Sequence, residues 1–296
     1  MKFGKISNIE SIDFSLPKEP AENSHIFNKT HKAKVYVGAP GWGRPDWIGK
    51  VYPKGTKAKD FLSVYSRVFN SIELNSTHYR TPTKGLVKQW YAESAKDFKF
   101  SPKVASSISH YGGLGKVGLV KDFAHAISHF EDKLGLTFLQ LSENFTPARL
   151  GELKAFNSLW PKELPISIEF RHSDWFKDSK ALDWLEENNI SSIITDVAGR
   201  RDVLHMRLTN SKVIIRFVGN NLHKTDFDRM DMWAQKIREW FDKGMEEIYF
   251  FLHEPEETVA PEAADHIIKK LIELGIPNLE RIKFVDSVAR DQVSLI

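Results

Sequence analysis

From residue 35 onward, the chain alternates short runs typical of β-strands with longer stretches that have helical spacing. In these stretches the apolar residues recur three and four positions apart. Only the gap between the sixth and seventh strand-like runs, at 197–211, looks too short for a full helix. Strands that alternate with helices indicate a parallel sheet with right-handed crossovers. The runs lie at 35–39, 71–75, 98–103, 136–141, 166–170, 191–196, 212–217 and 248–253.

Eight such runs are the number of strands in a closed TIM-type barrel, and a barrel of about 250 residues uses most of a 296-residue chain as one domain. We therefore predict an α/β fold, a single (β/α)8 barrel over 34–296. Residues 1–33 are polar and aperiodic, and we expect an N-terminal extension that is either loosely ordered or wrapped over the barrel. An open doubly wound sheet is the alternative fold, but neither GxGxxG nor a Walker loop follows the first strand.

Composition narrows the classes of partner. A formal net charge of +3 does not by itself predict nucleic-acid binding. There is no cysteine, which excludes disulfides and thiolate metal sites. The N-terminus lacks the apolar core of a signal peptide, and no apolar run approaches the roughly 18 residues of a membrane span. We expect a cytoplasmic protein with no membrane partner, and the oligomeric state is left open.

The segment ISIEFRHSDW at 166–175 begins as a buried strand and then places two charges on one face. Glu169 and Arg171 are two residues apart, so their side chains point the same way. Burying both charges costs several kcal/mol unless they are paired or needed for chemistry. In a barrel, the carboxyl ends of the strands carry the catalytic groups. We predict that this pair lies at that end of the barrel, its mouth.

Most of the other predicted strands also end in a polar or charged residue, whereas their starts are mostly apolar or small. Such a one-sided distribution indicates an occupied mouth, although a structural salt bridge is the alternative for any single residue. Mixed charges suit a small anionic or polyhydroxylated ligand. The residues at the strand ends and in the following loops are Glu73, Asn75, Lys103, His110, Gln140, Glu169, Arg171, Asp196, Arg216 and His253 with Glu254.

Aromatic residues follow the first two strands in turn-rich loops. Trp42, Trp47 and Tyr52 lie in the loop at 38–53, where they could stack on a sugar or a base, and at least one tryptophan is expected to pack instead. Tyr79 and Arg80 follow the second strand at the rim. No cofactor is predicted. A divalent metal stays open as an alternative, because several histidines and carboxylates could meet at one mouth, but no HxH or HExxH spacing supports it.

The motifs VYVGAPGWGRPDWIGKVYP, FNSIELNSTHYRTP, FKFSPKV, SISH, FLQLSENF, IEFRHSDW and IIRFVGN occur in this order, with Trp90 before the third and Asp196 before the last. Together they resemble the YecE-like family, domain of unknown function 72 (DUF72), over about residues 34–275. The resemblance implies one TIM-type barrel and no particular reaction. By analogy of fold and mouth chemistry, it also implies a likeness to sugar isomerases.

The resemblance carries over residues that fill the matching motifs, and two positions depart from it. Family members usually read Arg-Leu-His-Gly after the seventh strand, where this chain has Arg216-Phe217-Val218-Gly219. The eighth strand usually ends in a Phe-Asn-Asn type sequence, where this chain has His253-Glu254. These departures suggest either that polar function moves onto His253 and Glu254 or that the ligand differs. The residues carried over are Glu73, Asn75, Tyr79, Lys103, His110, Gln140, Glu169, Arg171, Trp175, Asp196 and Arg216.

Three functions follow, in order of preference. The first is an enzyme on a small anionic or sugar-like substrate, with Glu169 or Glu73 as general acid or base and cations holding the anionic group. The second is a non-enzymatic metabolite-binding protein, and the third a metal-dependent nucleic-acid-processing barrel, which the near-neutral charge disfavours. The predicted catalytic residues are Glu73, Glu169, Asp196 and His110; the predicted substrate-binding residues are Asn75, Tyr79, Arg80, Lys103, Gln140, Arg171, Trp175, Arg216, His253 and Trp42.

Overall fold

The structure, a computed structural model, describes residues 8–30 and 32–285 and contains the eight predicted strands. No end of a strand differs by more than one residue from the run predicted for it. The hydropathy pattern therefore places the strands correctly along the chain. They are β1 Lys34–Gly38, β2 Ser71–Leu74, β3 Lys99–Pro102, β4 Thr137–Gln140, β5 Ile166–Glu169, β6 Ser191–Val197, β7 Lys212–Val218 and β8 Glu247–His253.

Helices lie between most of these strands, as the apolar spacing predicts. The segment between β6 and β7 holds a 3-10 helix, Ala198–Val203, in place of a full α-helix. The longest α-helix begins with a capping box, in which Asp226 accepts from the backbone N–H of His223 at 3.0 Å. The α-helices in the described residues are α1 Phe61–Val68, α2 Ser76–Tyr79, α3 Lys84–Glu93, α4 Ser106–Ser109, α5 Val117–Ser128, α6 Leu150–Leu159, α7 Lys180–Glu187, α8 Lys224–Lys243 and α9 Ala260–Glu273.

All strand pairs in the described chain are parallel, but they form two sheets rather than one closed cylinder. The larger sheet has the order β1-β8-β7-β6-β5-β4, and β2 pairs with β3. The structure thus confirms the α/β fold with parallel strands, but not the predicted closed barrel, because two seams separate the sheets. Strands β2 and β3 are four residues long, which limits the ladder that each can form with its outer neighbour.

Side chains and single backbone contacts bridge the two seams. Between β1 and β2, the amide of Asn70 donates to the carbonyl of Val35 (3.0 Å) and accepts from the N–H of Val37 (2.7 Å). A glycine is required at position 38 of the same seam, because a Cβ on residue 38 would overlap the backbone carbonyl of Ser71. Between β3 and β4, the contacts are isolated bridges that pair Phe100 with Leu134 and Lys103 with Phe138.

The apolar core has two parts, one on the inward face of the larger sheet and one between strands and helices. The interior part includes Tyr36 and Tyr249, whose rings stack 4.7 Å apart. Since side chains alternate along a strand, the interior residues also fix which later residues point inward. The members of the interior part are Tyr36, Leu136, Phe138, Ile193, Ile214, Tyr249 and Phe251.

The described part of the N-terminal extension packs against the segment between β6 and β7 and against α8. Asn23 is buried, donates to the carbonyl of Met206 (2.8 Å) and accepts from the N–H of Leu208 (2.8 Å). Asn28 approaches so close to Gly244, at the end of α8, that a Cβ there would overlap its backbone. Of the two states expected for this extension, the structure shows the wrapped one for residues 8–30.

Within residues 8–30 and 32–285, no helix combines the length and apolar character that crossing a lipid bilayer would require.

Candidate functional site

Seven polar side chains from the carboxyl ends of the strands meet in one group, which we call the mouth cluster. They come from the ends of six different strands or the residues just after them. On several strands they lie two or four residues beyond a member of the interior core, which is why they point inward. The structure thus brings together residues far apart in the chain. The mouth cluster consists of Glu73, Lys103, Gln140, Glu169, Arg171, Arg216 and His253.

Arg216 is the centre of the mouth cluster. Its Nε and Nη2 donate to the two oxygens of Glu73 at 2.8 and 2.9 Å, a bidentate pair, and its Nη1 donates to Glu169 at 2.8 Å. His253 Nε2 lies 2.9 Å from Glu73 and 3.2 Å from Arg216. The guanidinium therefore holds two carboxylates, one from each sheet, in fixed positions.

A second chain of contacts leads from Glu169 to Lys103. Glu169 accepts from Arg171 Nε at 3.0 Å and from the amide of Gln140 at 2.8 Å. The carbonyl oxygen of Gln140 in turn accepts from Lys103 Nζ at 2.9 Å. Lys103 thus meets a neutral amide rather than a carboxylate, and its Nζ lies 5.6 Å from the centre of the Phe138 ring.

Electrostatics fix the charge states of the two carboxylates. Burial raises the pKa of Glu169, but the charges of Arg216 and Arg171 outweigh it and bring the pKa to about 2. Burial also raises the pKa of Glu73, but the charges of Arg216 and His253 outweigh it and lower this pKa well below the usual range. The pKa of Arg216 is raised, because its two carboxylates outweigh the effect of burial. All three groups are ionised at neutral pH.

Three basic groups at the mouth, Lys103, His110 and His78, have lowered pKa values. Burial, followed by the charge of Arg216, lowers the pKa of Lys103 to about 8. Partial burial of the ring, then His78 and Lys103, lowers the pKa of His110 to about 4, so its imidazole is neutral at pH 7 although the residue as a whole is exposed. Burial also lowers the pKa of His78, whose ring meets that of His110 edge-on at 5.1 Å. These groups can therefore take up or release protons, which the ionised carboxylates cannot do at this pH.

The loops around the mouth carry the other predicted ligand contacts. Asn75 is half-buried and donates to Glu73 at 3.1 Å, which joins it to the mouth cluster. His110 is exposed, and its Nδ1 lies 2.7 Å from the hydroxyl of Ser109. Tyr79 is 83% exposed and Arg80 is also exposed. These residues form the solvent side of the site.

Asp196 is placed elsewhere, although the sequence analysis put it at the mouth. Ile193 belongs to the interior core, so Thr195 shares its inward face and Asp196 points outward to α8. There Asp196 accepts from Arg229 (2.8 Å), from the indole N–H of Trp233 (2.7 Å) and from Arg201. We call this separate group the helix-layer cluster; it consists of Asp196, Arg201, Asp226, Arg229 and Trp233.

Two predicted aromatic contacts lie in the packing of the fold. Trp175 is 2% exposed, stacks on Phe170 at 4.3 Å and donates to the carbonyl of Phe145 at 2.6 Å. Trp42 is half-buried and packs edge-on against Trp90 at 5.4 Å. These contacts of the two rings are with packing residues and not with members of the mouth cluster.

Two residues beside the candidate site were not predicted from the sequence. Thr195 is buried beside Arg216 in the strand register, and its hydroxyl has no hydrogen-bond partner in the described chain. Counting two residues on from Ile193 would have found it. Tyr111 follows His110 and is 77% exposed, and its position directly after a predicted site residue was the available signal.

The two family departures after β7 and β8 lie next to each other. His253 joins the mouth cluster, but Glu254 turns toward the loop before α8 and accepts from the N–H of Asn221 at 2.8 Å. Gly219 lies against it, so that a Cβ would overlap its carboxylate. Burial, then Asp226, raises the pKa of Glu254 to about 7.

Among the described residues, no three side chains of His, Asp and Glu lie close enough together to hold a metal ion, and the divalent-metal alternative stays a prediction. A cavity of about 480 Å³ lies at the other end of the strands, between the α6–β5 loop and the starts of β6 and β7. Lys212 and Glu246 in its lining pair with each other at 3.1 Å. We favour the mouth because Lys103 and His110 have lowered pKa values there and Lys103 has no carboxylate partner in the described residues.

Comparison with known proteins identifies the family. Residues 36–281 match the model described as "Protein of unknown function DUF72". The chain is 28% identical over 268 residues to the UPF0759 protein YecE of Escherichia coli O157:H7, which covers 81% of this chain and 95% of that protein, and equally similar to the K12 protein. It is 24% identical over 205 residues to the UPF0759 protein YunF of Bacillus subtilis, which covers 63% and 71%.

Solved structures support the fold. A crystal structure of a DUF72 family protein from Enterococcus faecalis V583 aligns with a TM-score of 0.67 at 18% identity, over 84% of this chain and 98% of that one. A second structure of that protein aligns with a TM-score of 0.66 at 20% identity, over 82% and 99%. Since the family model covers most of the sequence, the chain belongs to the DUF72 family.

Proposed function

We propose that this DUF72 protein is an enzyme that binds a small anionic, hydroxylated compound at the mouth cluster and moves a proton within it. The observation that carries the proposal is the environment of Lys103. Its Nζ donates to the neutral amide of Gln140, and no carboxylate of the described residues lies within ion-pair distance. A buried ammonium without a counter-ion favours an anionic ligand.

The charge balance of the mouth cluster supports the same ligand. Lys103, Arg171 and Arg216 oppose two carboxylates, which leaves one positive charge in excess when all are ionised. Carboxylate and phosphate groups are the ligands that such a site attracts. We propose further that the eight strands together form one (β/α)8 barrel. The mouth cluster supports this, because its members come from both sheets and hydrogen-bond to one another.

The roles within the site follow from the charge states. Glu73 and Glu169 stay ionised, so they hold Arg216 in place rather than transfer protons. His110 is neutral, exposed and oriented by Ser109, which makes it the proton carrier. This assignment moves the general base from the carboxylates expected from the sequence to an imidazole in the adjoining loop.

Exposed aromatic rings account for the hydroxylated part of the ligand. Tyr79 and Tyr111 follow His78 and His110 directly in the chain, both rings are exposed, and the Tyr79 ring lies 5.6 Å from that of His78. An exposed ring next to polar groups can stack on the face of a sugar while hydroxyl groups reach the polar side chains. The pair of tyrosines would form the outer wall of the site.

Isothermal titration with inorganic phosphate, glycerate and glucose tests the ligand class. We expect the two anions to bind and glucose to bind at least tenfold more weakly. Lys103→Met should weaken anion binding at least tenfold. Lys99→Met is the matched control: Lys99 lies on the same face of the same strand at its opposite end, and its Nζ donates to the carbonyl of Asp132. Equal binding of phosphate by both variants would contradict the proposal.

Proton exchange separates an enzyme from a binding protein. In D2O, an enzyme of this type should exchange the hydrogen next to the carbonyl of a small hydroxy-carbonyl acid, visible by NMR, and His110→Ala should slow this exchange at least tenfold. Anion binding without any exchange would support the metabolite-binding alternative instead.

A further inference from the structure

We propose that Lys103 forms an imine with the carbonyl group of the substrate, which would then be a small aldehyde or ketone that also carries an anionic group. This inference deepens the proposed function and rests on its ligand site. It assigns to Lys103 a covalent role that an anion clamp does not need.

The position of Lys103 favours an amine over a permanently charged ammonium. The residue is 4% exposed and follows β3, with Phe138 on one side and the amide of Gln140 on the other. A lysine that meets a carboxylate is held protonated, whereas an amide oxygen accepts a hydrogen bond from either state. Lysines in apolar surroundings beside another cation are the ones that become nucleophiles.

The charged groups around Lys103 act in opposite directions. In order of influence after burial, they are Arg216, Glu73, Glu169 and Arg171. The net result is a pKa of about 8, so about one tenth of the side chain is a free amine at pH 7. This fraction is hundreds of times larger than that of an ordinary lysine, and the amine lies next to a site that attracts anionic compounds.

The covalent step conserves atoms and charge. The lone pair of the amine attacks the carbonyl carbon, and the π electrons of the carbonyl move to its oxygen. This oxygen takes up from solvent the proton that the ammonium form released to it. The imidazole of His110 accepts a proton from the nitrogen and returns it to the carbinolamine hydroxyl, which leaves as water as the C=N bond forms. Overall, the ammonium form and a carbonyl give an iminium ion and water.

The iminium ion fits the mouth cluster. It keeps the positive charge of the lysine, so the charge balance that favours an anionic substrate is unchanged. It also draws electrons from the adjacent carbon and thereby acidifies the hydrogen there, which the neutral imidazole can remove. Imine formation thus supplies the activation that the proposed proton transfer requires.

Borohydride trapping tests the proposal on the unaltered protein. The protein is incubated at pH 7.5 with glyoxylate, an anionic aldehyde, or with glycolaldehyde, an uncharged one, then reduced and mapped by peptide mass spectrometry. We expect Lys103 to carry the adduct of glyoxylate at least tenfold more than Lys99, the internal control on the same strand. Labelling of Lys103 should rise with pH with a midpoint near 8.

The outcomes separate this inference from the proposed function. If phosphate and glycerate bind but Lys103 is labelled no more than Lys99, the imine is ruled out and the anion site stands. If Lys103 is trapped by glycolaldehyde while no anion binds, the imine stands and the proposed ligand class fails. Lys103→Arg keeps the charge and should retain phosphate binding within about threefold while losing the adduct; an adduct of equal yield in that variant would also overturn the inference.

Discussion

The protein contains two buried clusters of arginine and carboxylate, and they differ in whether every charge has a partner. In the helix-layer cluster, Asp196, Asp226 and Arg229 are fully buried and paired with one another, and Trp233 donates to Asp196. Each cluster has one partly exposed member, Arg201 at 18% and His253 at 17% of the side chain. The difference is that Lys103 of the mouth cluster has no carboxylate partner in the described chain.

This difference shows why ion pairing alone does not identify a functional site. A closed network in which each charge has its partner stabilises one packing of α8 on the sheet, and it leaves nothing to bind a ligand. An open network with an uncompensated cation is less favourable for the free protein and becomes favourable when a ligand arrives. The following substitutions test whether this contrast holds.

The largest effect on stability is expected for Asp196→Asn. The change leaves Arg229 buried with a weakened partner, since its other carboxylate, Asp226, is 3.3 Å away. We expect the free energy of unfolding to fall by about 3–5 kcal/mol, measured by urea denaturation. Phosphate binding by the folded variant should be unchanged, because this cluster lies outside the mouth.

Asp202→Asn is the matched control, because Asp202 pairs with Arg200 at the surface and should cost about 0.5 kcal/mol or less. If Asp196→Asn weakened phosphate binding tenfold, the two clusters would be coupled and the contrast between them would fail.

The next effect is a pH dependence at Glu169. Its pKa is lowered from 4.5 to about 2 in the folded protein. A lowered carboxylate pKa stabilises the fold fully above the unfolded value, and this contribution is lost as the pH falls through the folded value. We expect about 3 kcal/mol at pH 6 that fades between about pH 5 and 2.

Urea denaturation of the wild type and of Glu169→Gln at several pH values measures this contribution. The gap between them should be largest above pH 5 and should close toward pH 2. Glu152→Gln serves as the control, because its pair with Arg149 is at the surface and should contribute about 0.5 kcal/mol or less. A gap that is constant with pH would show that Glu169 is not held ionised by the arginines.

A smaller effect of opposite sign is expected for Lys103→Met. The pKa of Lys103 falls from 10.5 to about 8, so keeping it charged in the fold costs stability at every pH below about 8. Removing the charge should stabilise the protein at pH 7 by about 2 kcal/mol, after the loss of the hydrogen bond to Gln140. The gain should shrink as the pH rises from 8 to 10.5. A gain that does not depend on pH, or one matched by Lys88→Met on the exposed face of α3, would contradict this account.

The fold follows from the sequence to the extent that local pattern decides it. Each strand run has a length and composition that occur in buried parallel strands, and all eight are found. How the two sheets meet depends on contacts between strands that the sequence does not encode locally. The seam between β1 and β2 depends on the side chain of Asn70 and on the missing Cβ of Gly38, which no hydropathy pattern reveals.

The site was predictable at the level of strand ends and not at the level of single residues. Glu73, Glu169 and Arg216 were expected on one face and do form one ion-pair network. Asp196 shows the limit, because a polar residue at a strand end points inward or outward according to a shift of one position. The sequence also does not show charge states, and the carboxylates expected to move protons are held ionised by an arginine 143 residues from one of them.

The smallest effect is expected where the N-terminal extension covers the helix-layer cluster. The ring of Phe14 lies 5.0 Å from the guanidinium of Arg229 and 5.4 Å from that of Arg201, whose Nη2 also donates to the carbonyl of Phe14 at 3.1 Å. Phe14→Ala removes the ring but keeps the carbonyl, so the free energy of unfolding should fall by about 1 kcal/mol. Phe14→Leu keeps an apolar cover without the aromatic face and should lose less. If urea denaturation showed the same loss of unfolding free energy for both variants, the ring would contribute through its contact with the cations rather than through its buried area. If neither variant lost stability, the extension would not help to stabilise this cluster.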